Sequence, residues 1–116
     1  RRGVAFWIEN PDGAVLIRRR PDKGLLGGMM EIPSTQSALR LPPNPELEAP
    51  LALPWDKTDA SVLHTFTHFH LELAIWKSTA GPVAAPANAR WAPQRDLAGE
   101  ALPTVMRKVI EAALAA

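Results

Sequence analysis

The most regular alternation of apolar and polar residues lies between positions 61 and 76. In its second half, large apolar residues occupy every other position. Phe69, Leu71, Leu73 and Ile75 alternate with His68, His70, Glu72 and Ala74. A period of two is typical of a β-strand with one buried face. Residues 63–66 are predicted to form the strand segment that precedes it, so a bend is expected near Phe66–His68.

The first thirty-two residues predict shorter strands separated by turns. Val4–Ile8 is apolar and rich in strand-forming residues, whereas Asn10–Gly13 carries turn chemistry at every position. Ala14–Arg20 then predicts the return strand of a hairpin. Pro21–Gly24 indicates a second turn, and Met29–Ile32 a short strand.

Prolines interrupt the pattern from residue 34 to residue 60. Five of the twelve prolines fall between Pro42 and Pro54, which excludes a long helix or a central strand there. We expect an irregular connection with one short helical turn at Pro45–Ala49, where Asn44 is the expected N-cap.

The C-terminal part predicts a turn at residues 77–82, a last strand at Ala89–Ala92 and a helix over residues 103–115. The helix has an expected apolar face of Val105, Met106, Val109, Ile110, Ala113 and Leu114. Strands followed by one terminal helix predict an α+β domain with a mixed or antiparallel sheet.

Composition narrows the class of protein. The 116 residues favour one domain, 1–116, and the first residue is Arg1 rather than Met, so we expect a domain cut from a longer chain. The absence of cysteine excludes a disulfide scaffold, a thiolate metal site and a cysteine nucleophile within these residues. The net charge of +1 argues against a polybasic tail.

Candidate chemistry is sparse when it is judged from the residues alone. His64, His68 and His70 lie close together, but their spacing on strands differs from that of the usual helical metal pair, so a polar strand face is favoured over a metal site. Gly24–Gly28 lacks the ending of a phosphate-binding loop and predicts a turn or bulge. Phe66-Thr67-His68 fits either an exposed base-contacting tip or a core phenylalanine followed by polar residues.

Three consecutive arginines leave two interpretations open. On a strand their side chains alternate between faces, so they cannot form one contiguous patch. Most such runs are solvated sheet edges, while a minority contact phosphates. The candidates for phosphate contact here are Arg18, Arg19, Arg20 and the nearby Lys23.

Three longer segments together resemble a known family. The chain resembles the C-terminal domain of bacterial A/G-specific adenine DNA glycosylases, the MutY family, over all but about residues 36–60 and 78–88. The segments that carry the resemblance are residues 24–35, 64–73 and 102–110, and Arg1–Trp7 fits the same domain. It implies a Nudix-like α+β fold with a degenerate, proline-rich segment in place of the catalytic Nudix helix.

The comparison with Nudix hydrolases points away from hydrolysis. Those enzymes carry G-x5-E-x7-R-E-x-x-E-E, whose carboxylates hold Mg²⁺ beside a diphosphate. Here Ser34-Thr35 stands where two glycines are usual, and Glu46 and Glu48 are two residues apart among prolines. We therefore expect no catalytic residues, no metal and no activity from this chain alone. A divergent Nudix nucleotide pyrophosphohydrolase and a protein-interaction module that docks through segment 42–54 remain the alternatives.

The resemblance also implies a function in base excision repair. In that family a separate N-terminal domain carries the catalytic carboxylates and a [4Fe-4S] cluster, and it removes adenine mispaired with 8-oxoguanine. The C-terminal domain inspects the 8-oxoguanine. The implied partners are double-stranded DNA with that mispair and the N-terminal catalytic domain, without a membrane, in the bacterial cytoplasm at the nucleoid.

The family's Phe-Ser-His turn aligns with Phe66-Thr67-His68. The resemblance makes Phe66 the wedge beside the lesion, Thr67 the hydroxyl that accepts from N7–H of 8-oxoguanine, and His68 a phosphate contact or a brace of the turn. His64 and His70 are expected to give support or phosphate contact. Threonine keeps the hydroxyl but stiffens χ1.

Overall fold

The computed structural model describes residues 1–116 and shows six strands and one α-helix. The strands are β1 (Arg2–Glu9), β2 (Val15–Arg19), β3 (Met30–Glu31), β4 (Asp56–Thr65), β5 (His70–Thr79) and β6 (Ala89–Ala92), and the helix is α1 (Thr104–Ala115). Two 3₁₀ turns span Pro45–Glu48 and Gln94–Gly99. The strand order is β3-β2-β1-β5-β4, with β6 on β2. Only β1 and β5 pair in parallel, so the predicted α+β class and mixed sheet are confirmed.

Strand β1 is the centre of the fold. Val4–Ile8 is fully buried, which explains its continuous apolar run: a strand covered on both faces has no polar side. Ala5 and Trp7 belong to a core cluster that includes the buried face of α1. Val4, Phe6 and Ile8 face a second cluster, which the end of the proline-rich segment covers. None of the helices is long and apolar enough to span a membrane.

The predicted boundaries were wrong at two strands. The irregular connection ends at residue 55 rather than 60, because β4 already pairs with β5 at Asp56↔Lys77, with a register shift before Ser61. The turn predicted from Lys77 begins later, because β1 extends to Glu9 and pairs β5 as far as Thr79. Pairing with distant strands is not visible in local residue preferences.

Two local predictions also need correction. Asn44 makes no side-chain capping bond, and the turn that follows is a 3₁₀ turn of four residues, Pro45–Glu48. Leu114 was expected on the buried face of the helix but is 56% exposed. It borders a groove beside the Gln94–Gly99 turn rather than the sheet, because the helix rotates about 100° per residue and Leu114 lies off the core face.

Candidate nucleic-acid interface

The turn between β4 and β5 displays two of the predicted site residues. Thr65 and His70 form the last pair of the two strands, and the Phe66 N–H donates to the Phe69 carbonyl over 2.8 Å. This bond closes a four-residue turn, at whose tip Thr67 and His68 are both exposed. The bend expected from the sequence is therefore confirmed.

Phe66 is half-buried at the base of the turn. Its ring lies 4.7 Å from that of His64, edge to face, and 5.0 Å from that of Phe69, measured between centroids. It also packs against the core cluster under α1. The ring is therefore anchored in the core and still partly accessible at the surface.

The three arginines divide between two faces, as strand geometry requires. Arg18 and Arg20 both bind the buried carboxylate of Glu31, at 3.0 Å and 2.8 Å. Arg19 instead pairs with the exposed Asp22 over 2.8 Å. Strand β2 is not a sheet edge here, because β1 and β3 and also β6 pair with it.

Arg18 and Arg20 also tie two loops to the strand. Arg18 donates to the Ser34 carbonyl over 3.1 Å, and Arg20 donates to the Leu25 carbonyl over 3.0 Å. These bonds, together with those to Glu31, hold both guanidinium groups in place within the chain. The side chains that remain most accessible on this side are Arg19 and Lys23, both exposed.

The glycine-rich segment forms the predicted turn. Gly24 and Gly28 have φ values of +95° and +77°, which side chains rarely tolerate. Gly27 allows a close backbone approach, since a Cβ there would collide with the Asp22 carbonyl oxygen. The turn presents Lys23 at the rim of a cleft.

This cleft, of about 460 Å³, connects the turn after β4 with the arginine strand. Phe66 and Leu71 line it together with the basic side chains Arg18, Arg19, Arg20 and Lys23 and with the carboxylate of Glu31. Residues that are some 45 positions apart in sequence are therefore brought to one surface. That juxtaposition was not predictable from the spacing of the residues.

The histidines separate into different environments. The ring of His70 lies 2.8 Å from the Thr65 hydroxyl through Nδ1, and His68 stands at the tip. Nδ1 of His64 lies 3.1 Å from Lys108 Nζ of α1.

Burial, and then the charge of Lys108, lower the pKa of His64 below its ordinary 6.5. No group of three His, Cys, Asp or Glu side chains is arranged to hold a metal ion.

The NUDIX domain model matches residues 4–112, so the chain belongs to the NUDIX domain family. The fold class expected from the sequence, a Nudix-like fold with one C-terminal helix, is thereby confirmed. No curated protein is similar enough to match the chain.

Solved structures with the same fold come from different functional groups. The C-terminal domain of mouse MUTYH, in complex with human PCNA, is 23% identical with a TM-score of 0.78, covering 98% of this chain and 87% of that one. The MutT protein of Methanosarcina mazei Go1 is 18% identical, TM-score 0.74, with coverage of 95% and 89%. The NUDIX domain of Shewanella oneidensis NrtR, complexed with ADP ribose, is 13% identical, TM-score 0.72, with coverage of 98% and 86%.

The residues present do not fit the Mg²⁺ site of Nudix hydrolases. After β3 the chain runs extended along β1, with the Thr35 N–H donating to the Val4 carbonyl over 2.9 Å, and no α-helix follows before residue 104. Glu31 is already bound by two arginines, and Glu48 accepts the Gln36 N–H over 2.9 Å. These carboxylates do not converge on one point that a cation could occupy.

Proposed function

We propose that the chain is a DNA lesion-recognition domain of an adenine DNA glycosylase, which reads 8-oxoguanine opposite a mispaired adenine. One observation carries the proposal: Thr67 and His68 stand exposed at the tip of a hairpin, with Phe66 anchored directly behind them beside a basic cleft. The family resemblance of these three residues supports the same assignment.

The chemistry of the turn suits the oxidised base. Guanine offers an acceptor at N7, whereas 8-oxoguanine has an N–H there and a carbonyl at C8. The Thr67 hydroxyl can accept from that N–H, but it can also donate to normal guanine, so it supplies only part of the discrimination and a second contact must supply the rest. The backbone N–H groups of Thr67 and His68 bond to no backbone carbonyl. We assign them the second contact, to the new oxygen at C8.

Phe66 is assigned the wedge that opens the base step. Its contacts with His64 and Phe69 hold the ring in one orientation, which reduces the entropy lost when a base stacks against it. The surface offers moderate attraction for phosphates, since the whole chain carries only +1. The catalytic domain that the resemblance implies is expected to supply most of the DNA affinity.

The proposal is tested by the affinity ratio for two duplexes that differ only in 8-oxoguanine:adenine against guanine:adenine. Fluorescence anisotropy of the unmodified chain should show tighter binding to the lesion. Thr67→Ala should reduce this preference by about 1–3 kcal/mol. Thr79→Ala, at the opposite end of β5, is the matched control and should leave the ratio unchanged. Equal ratios for Thr67→Ala and the parent would contradict the proposal.

A nucleotide pyrophosphohydrolase is the alternative that the MutT and NrtR neighbours raise. This alternative requires that the chain hydrolyse a nucleoside diphosphate derivative in the presence of Mg²⁺. ADP-ribose and 8-oxo-dGTP are suitable probes for that activity. Sustained turnover that is lost with EDTA would favour this alternative over the DNA-reading function.

A further inference from the structure

Lys108 is a basic residue of α1 that lies beside the base of the β4–β5 turn. Its Nζ is 3.1 Å from His64 Nδ1 and 3.5 Å from the Leu63 carbonyl oxygen. The side chain is exposed, so its ammonium group is held by two neighbours and still open to solvent. Its stem is thereby ordered before any ligand arrives.

His64 connects this ammonium group to the proposed reading turn. A lysine ammonium can only donate, so Nδ1 of His64 must accept and the proton of the neutral ring must lie on Nε2. The same ring packs edge to face against Phe66, with 4.7 Å between centroids. Lys108, His64 and Phe66 therefore form a continuous row of contacts from the helix to the turn.

We propose that Lys108 contacts a DNA phosphate next to the lesion, and that His64 is the positioning residue that fixes its ammonium group. This inference rests on the proposed function. Arg19 and Lys23 line the cleft, whereas Lys108 is not one of its lining residues, so Lys108 adds a positive charge outside the cleft, beside His64. An ordered ammonium loses less side-chain entropy on binding than a free lysine does.

The test compares Lys108→Gln with Arg107→Gln, which changes the preceding helix residue. Arg107 donates to the Glu100 carbonyl and lies away from His64. Affinity for the lesion duplex and the guanine:adenine duplex is measured over a series of salt concentrations. Lys108→Gln should weaken both duplexes equally and reduce the slope of log K against log salt by about 0.9, while Arg107→Gln should leave the slope unchanged.

His64 is tested by two further variants. His64→Phe keeps an aromatic ring against Phe66 but loses the acceptor, so it should lower DNA affinity in the same direction as Lys108→Gln. His64→Gln retains an acceptor oxygen and should restore part of the affinity. Equal affinity of the parent and His64→Phe would overturn the positioning role.

The possible failures are distinguishable. A parent-like salt slope for Lys108→Gln, with a lesion preference that still depends on Thr67, would overturn this inference and leave the proposed function standing. Absence of lesion preference in the parent, with a reduced slope for Lys108→Gln, would contradict the proposed function and support the phosphate contact. Absence of DNA binding would overturn both.

Discussion

At the scale of single residues, Glu31 is the charged group that holds two of the cleft's arginines in position. Its carboxylate is only 5% exposed and receives bonds from Arg18 and Arg20, which are about one quarter exposed. Removing the charge leaves two guanidinium groups close together without a counter-ion. Each of them also holds a loop through a backbone carbonyl.

Glu31→Gln is therefore expected to lower the free energy of unfolding by about 2–3 kcal/mol. Glu72→Gln is the matched control, because Glu72 is 49% exposed and lies 3.8 Å from an exposed Arg2. That change should cost less than about 0.5 kcal/mol. Urea denaturation measures both, and equal losses in the two variants would refute the structural role of Glu31.

His64 is the residue with an altered proton affinity. Burial and Lys108 disfavour its charged form, so its folded pKa lies below 6.5. The unfolded chain then binds the proton first as the pH falls. The contribution of His64 to stability is complete above pH 6.5 and is lost as the pH falls toward the folded pKa.

An NMR titration should place the pKa of His64 below 6.5, and Lys108→Gln should raise it toward that value. Arg107→Gln should leave it in place. In parallel, the free energy of unfolding of the parent should fall more between about pH 7.5 and about pH 5.5 than that of His64→Gln. A pKa unaffected by Lys108→Gln would show that the two groups do not interact in solution.

At the scale of elements, the turn between β2 and β3 shapes the part of the cleft that Lys23 lines. The Gly28 N–H donates to the Pro21 carbonyl over 3.1 Å, and Leu26 itself adopts a positive φ of 56°. Gly27 passes so close to Asp22 that no side chain fits between them. Close backbone packing at Gly27 and positive φ angles at Gly24 and Gly28 therefore explain the glycines of this turn.

Gly27→Ala should consequently destabilise the domain by about 1–3 kcal/mol, because the added methyl meets backbone atoms that cannot move aside cheaply. Gly99→Ala is the control, since a Cβ at Gly99 meets nothing within 4 Å. Thermal unfolding followed by circular dichroism compares the two. A Gly27→Ala midpoint equal to that of Gly99→Ala would contradict the close approach.

At the scale of the whole molecule, the sequence predicts the elements better than their assembly. The hairpin of β4 and β5, strand β6 and helix α1 follow from local periodicity and turn chemistry, and each is found. The bounds of β4 and β5 differ because β4 begins where Asp56 pairs with Lys77 of β5, and β5 extends to Thr79 by pairing with the distant β1. Local patterns carry no information on such pairings.

In the candidate site, too, local features are predictable from the sequence and long-range contacts are not. The exposed Thr67 and His68 follow from the turn, but the path from Phe66 through His64 to Lys108 spans 44 residues between its last two members. Likewise, the neutralisation of two arginines by Glu31 depends on β3 lying against β2. Contacts of this kind arise only when the sheet forms.

The most direct test of the central claim compares the unmodified chain with the double variant Phe66→Ala, Thr67→Ala. Their affinities for 8-oxoguanine:adenine and guanine:adenine duplexes are measured at one low salt concentration. The parent is expected to favour the lesion duplex, and the double variant to lose more of that preference than the about 1–3 kcal/mol expected for Thr67→Ala alone, while it still binds both duplexes. An identical preference in the two proteins would contradict the assignment of the turn as the lesion-reading element.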